Sequence, residues 1–541
     1  MGLAPTGKAP PCHGARGLRT FAPEFYFYIV GTCCAEISHA LRQVTGGKAM
    51  TNEDATQLKI RPEDDPWYLL ATLYGQPREG DRELQARNRT AWNRYVAQWL
   101  NEDAKGAVTK TRSLGAEDTV LLNEEEMTSL REAFAKRHHQ AGSSADPEIG
   151  QAKPSFIDFS DVEFDRLFWA EGFVFPVVTW FARTRFSEGA MFQGAIFCEK
   201  SVFSHAVFSG WADFQRATFH EAEFRFTKFK GGVAMFDNAV CSRWADFEGA
   251  NFSSANFPSV NFTAALFKDV EFGSAEFPRA TFGNVSFPGA IFNFTSNFRG
   301  ATFGEADFKA AIFKRDPNFV NTDFKGPTSF ESVMFSSKPP RFFDAKLHQG
   351  TVWRNAIWPL PMLSAEAGDF TDAYERLKLE MDGLKKHEDE LYFFKLEMQS
   401  RRVMYGNLTD ISELRVLGRT ISLKRIALKW PASGLPIAIY GFLCDYGRSY
   451  VRPLVGLLVT AGVGALPFWL SFGWPSKFWQ ALGFSLANTF GVIGFRKDFI
   501  KPEVTEHLLG ILKVFAAIQT VTGIVLLFLF GLAIRNRFRM K

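Results

Sequence analysis

Between Phe247 and Phe292 the alternation of apolar and polar positions repeats every five residues. Phenylalanine stands at Phe247, Phe252, Phe257, Phe262, Phe267, Phe272, Phe277, Phe282, Phe287 and Phe292, and an Ala or Val precedes each by two positions. Five steps on an α-helix turn about 500°, so these side chains cannot form one stripe. On a straight strand an odd period throws successive phenylalanines onto opposite faces. The chain therefore has to turn once in every repeat. The Ala/Val and the Phe share an inward face, and the residue between them (Asp246, Asn251, Asn256, Asn261, Glu271, Glu276, Thr281) points out. The pair after each Phe is turn material: Glu248-Gly249, Ser253-Ser254, Pro258-Ser259, Pro278-Arg279, Gly283-Asn284 and Pro288-Gly289. The pattern predicts a solenoid wound around a core of Phe and Ala.

The tripeptides that carry it are ADF at 245–247, ANF at 250–252 and 255–257, and ADF at 306–308. They resemble those of pentapeptide-repeat proteins, in which Leu often stands where this chain has Phe. The resemblance implies a right-handed quadrilateral β-helix with four repeats per coil. The rhythm extends upstream through Phe192, Phe197, Phe203, Phe208, the fives from Phe214 to Phe229, Phe236 and Cys241. Downstream it runs through Phe298 to Phe313 in fives, then Phe319, Phe324, Phe330, Phe335 and Phe342. Slips to six or seven fall between groups, where a corner can absorb them. At about 20 residues per coil and roughly 4.8 Å per coil, residues 192–342 would build a rod about 36 Å long. Residues 155–186, aromatic but loosely spaced, read as the first irregular coils. Trp353, Trp358, Leu360 and Met362 read as the closing plug, which sets the β-helix with its end caps at 155–365.

The flanks have the helical period. Within 62–139, Trp92, Tyr95 and Trp99 share one face. A second helix starts at Asn123, an N-cap with Glu126 three residues on, and buries Met127, Leu130 and Phe134. Residues 140–154 are a Gly/Ser/Ala/Pro linker, and residues 1–61 are assigned no structure, with Met50 a second candidate for the start. Within 366–430, residues 369–404 read as one long amphipathic helix capped by Asp369 or Thr371, carrying Tyr374, Leu377, Met381, Leu384, Leu391 and Met398. That face serves either as a coiled-coil seam joining copies or as a surface packed back on the chain's own rod.

Residues 431–541 carry two uncharged runs, Pro453–Phe472 and Val514–Ile534, each long enough to span a bilayer. Arg448 and Arg452 precede the first, and Arg535, Arg537, Arg539 and Lys541 follow the second, which places both termini in the cytoplasm. Leu435–Cys444 is too short to span and reads as an interfacial helix. Between the spans, residues 478–495 form an apolar half-length segment ending in Thr489, Gly491 and Gly494. This arrangement resembles the two-helix pore-loop channels, although TFGVIG differs from a potassium filter. It also resembles the membrane-anchored pentapeptide-repeat proteins of bacteria with a channel-like tail, which implies the bacterial inner membrane. The overall expectation is mainly β: a pentapeptide solenoid with an N-terminal helical segment and a C-terminal α-helical transmembrane region.

A net charge of +4 over 541 residues is too small to imply nucleic acid, and six cysteines without a C-x-x-C pair read as a reduced, cytosolic environment with no disulfide framework. No catalytic motif stands out, and no enzyme, cofactor or metal is expected. The leading reading is a non-enzymatic scaffold at the inner membrane, with the lipid bilayer, a protein on the rod surface and further copies of the chain as partners. The alternative is a subunit of a two-helix pore-loop channel with the β-helix as its cytoplasmic module. A third, a DNA mimic like the gyrase-protecting relatives, is disfavoured by charge. Residues 155–345 hold 22 Asp+Glu against 18 Lys+Arg, a net of −4, whereas duplex DNA of about 36 Å carries on the order of 20 charges.

Overall fold

The computed structural model describes residues 60–144 with gaps between 101 and 119, then 152–406, 414–416, 419–421, 434–472, 477–491 and 509–539. Residues 156–358 form a β-solenoid of about nine turns. Its strands lie in two sheets of 11 and 14 strands. Pairing is parallel throughout, and like stacks on like: Phe252 on Phe272, Phe262 on Phe282, Ala255 on Ala275.

The register shows how the slips are absorbed. It steps 20 residues from Phe252 to Phe272 and to Phe292, 21 to Phe313 and 22 to Phe335. Upstream it steps 22 from Phe164 to Phe186 and to Phe208. Local bulges take up the extra residues, as between Phe229 and Val233. The inward column therefore never changes face. All ten phenylalanines from Phe247 to Phe292 are at most 2% exposed. Cys241 occupies a ladder position and is equally buried.

Turns do not follow every Phe, contrary to the sequence expectation. They follow every second one. At Phe247-Glu248-Gly249-Ala250 the Ala250 N–H donates to the Phe247 carbonyl at 2.9 Å and Gly249 has φ 66°, the signature of a type II turn. Pro258, Pro278 and Pro288 fill the first central position of equivalent turns, and Ser259, Arg279 and Gly289 take the positive φ. The alternate corners, including Ser253-Ser254 and Gly283-Asn284, run through as bent strand. There Gly283, Gly304 and Gly326 stack in one column, and a Cβ on any of them would overlap the carbonyl oxygen of the coil before it.

Both ends of the rod are covered by helices, and this revises the sequence reading twice. Residues 156–186 are already regular coils. Their cap is N-terminal: α1 (Pro66–Ala71), α2 (Arg82–Val96) and α3 (Glu124–Ala141). Trp92 stacks on Phe173 at 5.2 Å and its indole N–H donates to the Val174 carbonyl at 2.8 Å. Asn93 bonds both the Gly172 carbonyl and the Val174 N–H, satisfying the first coil's edge. Asn123 and Glu126 form the expected capping box of α3.

At the other end Trp353 and Trp358 belong to the last coil, but Leu360 and Met362 are exposed and plug nothing. The single helix expected over 369–404 is a hairpin, α4 (Ser364–Gly383) and α5 (His387–Gly406), broken where Lys385 takes φ 57°. Leu363, with no side-chain cap bond, stands at the N-cap instead of Asp369 or Thr371. Phe393 packs edge-on to Trp358 at 4.9 Å, and the Tyr374 hydroxyl donates to the Pro359 carbonyl. Tyr374, Leu377 and Met381 face this contact and are buried within the chain rather than left for a coiled-coil partner. Buried Glu397 is held by Lys378 at 2.7 Å and Arg401 at 2.8 Å, which fixes the two helices to each other.

Candidate functional site: the apolar helices and their joint with the rod

Three apolar helices follow α6 (Gly434–Cys444): α7 (Val451–Phe472), α8 (Phe478–Thr489) and α9 (Gly510–Arg539). Two of them, α7 and α9, are long and apolar enough to cross a membrane. Only 28% of each apolar window is buried within the chain. Leu458, Val463, Leu470, Val514, Val521 and Phe528 point outward instead, where a soluble core helix would bury them.

The half-length α8 is locked between the two long helices. Ser485, Asn488 and Thr489 of α8 and Gln519 of α9 are all buried. The Gln519 amide nitrogen donates among the Ser485 hydroxyl at 2.5 Å, the Thr489 hydroxyl at 3.1 Å and the Thr460 carbonyl of α7 at 3.1 Å. The Ser485 hydroxyl in turn donates to the Ala461 carbonyl at 2.7 Å. Small residues make this approach possible. A Cβ on Gly523 would overlap the Thr489 carbonyl, and one on Gly464 would overlap the Gln519 amide.

Of the residues proposed for a pore loop, Thr489 is thus an interior residue of a single chain. Gly491 is partly exposed, and among the described residues a Cβ there meets only Thr520 Cγ2 at 3.6 Å, an ordinary contact. Gly494 lies outside the described residues. Gln519 was not singled out in the sequence, although an amide in the middle of an uncharged run of 21 residues is the signal that marks it.

The second feature is the joint between the capping hairpin and the apolar helices. Arg539, at the end of α9, reaches Asp382 at 3.0 Å and Glu390 at 3.7 Å. Lys395 of α5 pairs with Asp445 at 3.0 Å, and Arg448 lies over the Tyr392 ring. Asn536 donates to the Gly447 carbonyl at 3.2 Å, tying α9 to the turn before α7. Asp382, His387 and Glu390 converge closely enough to suggest a metal. Arg539 supplies the positive charge there, and the His387 ring bonds Glu390 at 3.0 Å. Glu388 and Lys395, which interrupt the apolar face in the sequence, both lie at this joint.

Several outward charges of the rod pair across coils. Lys200 meets Glu223 at 2.5 Å, Arg243 meets Glu221 at 2.9 Å, and Arg225 and Lys268 both reach Glu248. Glu248 is held below its ordinary carboxylate range by these two cations, against a desolvation that would raise it.

Comparison with known proteins agrees with the repeat geometry. The family model described as pentapeptide repeats (8 copies) matches residues 245–284, and one described as pentapeptide repeats (9 copies) matches 287–334. No curated protein matches the chain. Among solved structures, the chain is similar to HetL, a pentapeptide-repeat protein involved in heterocyst differentiation regulation from the cyanobacterium Nostoc. The identity is 15%, the match covers 44% of this chain and 94% of HetL, and the TM-score is 0.21. The like-on-like Phe ladder, the turn at alternate corners and the two matching family models together show that residues 245–334 of this chain are pentapeptide repeats.

Proposed function

We propose that the chain is a non-enzymatic, membrane-anchored scaffold of the bacterial inner membrane, with its β-helix and both termini in the cytoplasm and its rod surface as the site of protein recognition. The observation that carries this reading is the joint. The cap that closes the rod is the same hairpin that bonds α9 through Arg539 and the α6–α7 turn through Lys395. A rod joined this way is presented at a set attitude to the bilayer rather than tethered by a loose linker. The near balance of acids and bases on the rod argues against DNA mimicry, and pairs such as Lys200 with Glu223 and Lys268 with Glu248 interrupt any anionic track. Reporter fusions active only inside the cell test the topology. Activity is expected after Lys541 and before Trp67, and not within residues 496–506. A reporter at Lys501 that reads cytoplasmic refutes the two-span reading.

One observation favours a second reading, a pore-loop channel subunit: α8 is half a membrane long and is held between two spans. Planar-bilayer recording of the purified protein separates the two. The scaffold reading predicts no conductance across a range of voltage and cation. Conductance that Gly491→Val or Gly494→Val abolishes, without change in membrane abundance, would establish the channel instead.

A further inference from the structure

At the joint, a cleft of about 240 Å³ opens between the first turn of α5, the α6–α7 turn and the end of α9, lined by Glu388, Asp445, Arg448, Ser449 and Arg537. Its charges are unequally satisfied. Asp445 is taken by Lys395 at 3.0 Å. Arg448 lies over the Tyr392 ring, its Cζ 5.3 Å from the centroid, a contact made through its charge. Among the described residues neither Arg448, Arg537 nor Glu388 is in an ion pair. The Ser449 hydroxyl accepts from the Arg452 N–H and retains its own proton to donate. The cleft therefore presents two guanidinium groups and a hydroxyl to an anion, beside two carboxylates of which Asp445 is neutralised by Lys395 and Glu388, among the described residues, is in no ion pair.

Its depth identifies the ligand. The exposed apolar surface of α7 begins at Val451, two residues after Ser449, and the apolar run of α9 ends at Ile534, three residues before Arg537. Exposed Leu435, Ile439 and Phe442 of α6, at i, i+4 and i+7, form one apolar face at the same end of the helices. The cleft thus lies where the chain passes from apolar to charged, the level of phospholipid headgroups.

We propose that this cleft seats the headgroup of an aminophospholipid, its phosphodiester between Arg448 and Arg537 and its primary ammonium on Glu388. The assignment rests on the membrane reading above. Guanidinium forks match phosphate oxygens in pairs. An anionic lipid lacking the ammonium would leave Glu388 facing a phosphate. A choline headgroup offers Glu388 no N–H to bond. Because the walls come from the capping hairpin, the turn before α7 and the end of α9, the bound lipid would also brace the rod against the bilayer.

The test is native mass spectrometry of the full-length protein in mild detergent, with phosphatidylethanolamine and phosphatidylglycerol supplied in equal amounts. One phosphatidylethanolamine per chain is expected in preference to phosphatidylglycerol. Arg448→Gln with Arg537→Gln should lose both adducts, while Glu388→Gln should keep phosphodiester binding and lose a preference on the order of tenfold. Thermal unfolding of each variant in lipid-free detergent should match the parent, so that lost binding is not lost folding. No retained lipid, a preference for phosphatidylglycerol, or unchanged retention in the double Arg variant overturns the proposal. Equal competition by soluble glycerophosphoethanolamine would assign the cleft to a free phosphodiester and overturn the lipid. Release of the protein from vesicles by alkaline carbonate would instead refute the membrane reading itself, so the two failures are distinguishable.

Discussion

Phe267 sits in the middle of the ladder, and its truncation to alanine measures what the ladder contributes. The ring is wholly buried, stacked on Phe247 at 4.8 Å and on Phe287 at 4.7 Å, with Phe257 and Phe277 edge-on at 5.9 Å. Removing a buried Phe side chain costs about 3–5 kcal/mol, the larger values arising where the surroundings cannot collapse. Collapse is restricted here because the neighbouring rings hang from corners whose backbone bonds run to the next coil, as from Gly249 N–H to the Lys268 carbonyl. Each lost aromatic pair adds about 0.5–1.5 kcal/mol. The expected destabilisation therefore lies at or above the top of the range, about 5 kcal/mol. Asn256→Ala is the control. Its side chain is partly exposed and makes one long contact, 3.4 Å to Asp237, so the cost should stay below about 1 kcal/mol. The assay is urea unfolding of residues 60–406, which keep both caps. Because coils interact with their nearest neighbours, the damage should also appear as early hydrogen exchange in the coils on either side of Phe267. Equal midpoint shifts for the two substitutions would refute the inward and outward assignment and with it the account of the core.

Gly304→Ala should destabilise the rod by several kcal/mol, because its Cβ would overlap the Gly283 carbonyl oxygen. Gly368→Ala, on α4 with open space around it, should be neutral or stabilising by up to about 1 kcal/mol, and the same unfolding assay compares them. Burial raises the Asp65 carboxyl to about 7. The folded protein then keeps a proton that the unfolded chain releases, so the contribution of Asp65 to the cap's stability should be fully present below about pH 4 and be lost as pH rises toward 7. Asp65→Asn retains an acceptor for the Tyr68 N–H and should remove that slope in tryptophan-fluorescence melts. Gln519→Leu should cost about 0.5–2 kcal/mol in detergent unfolding, since Ser485 and Thr489 keep their bonds to backbone carbonyls. Gly523→Ala should cost more, because it forces α8 away from α9, and a smaller effect than that of Gln519→Leu would refute this packing.

The five-residue period determined the solenoid, since no straight element can keep Phe and Ala on one side at that spacing. Which residues form the core, that the slips are local, and that two long runs are apolar enough to span a membrane were equally present in the residues themselves. Each of these depends on neighbours a few positions apart. What needed the tertiary structure depends on residues that are distant in sequence. Turns fall at alternate corners only; Pro258, Pro278 and Pro288 all stand at turning corners, but glycine does not mark them, since Glu248-Gly249 turns while Gly283-Asn284 runs through as strand. The 3-4 pattern from Tyr374 to Met398 is the same whether it faces a second copy or the chain's own last coil. The aromatic end of the rod decided it, by offering Trp353 and Trp358 to Phe393. The joint was the least legible part. Arg539 and Asp382 lie 157 positions apart, and their pairing exists only because a hairpin closes the rod and a helix ends beside it.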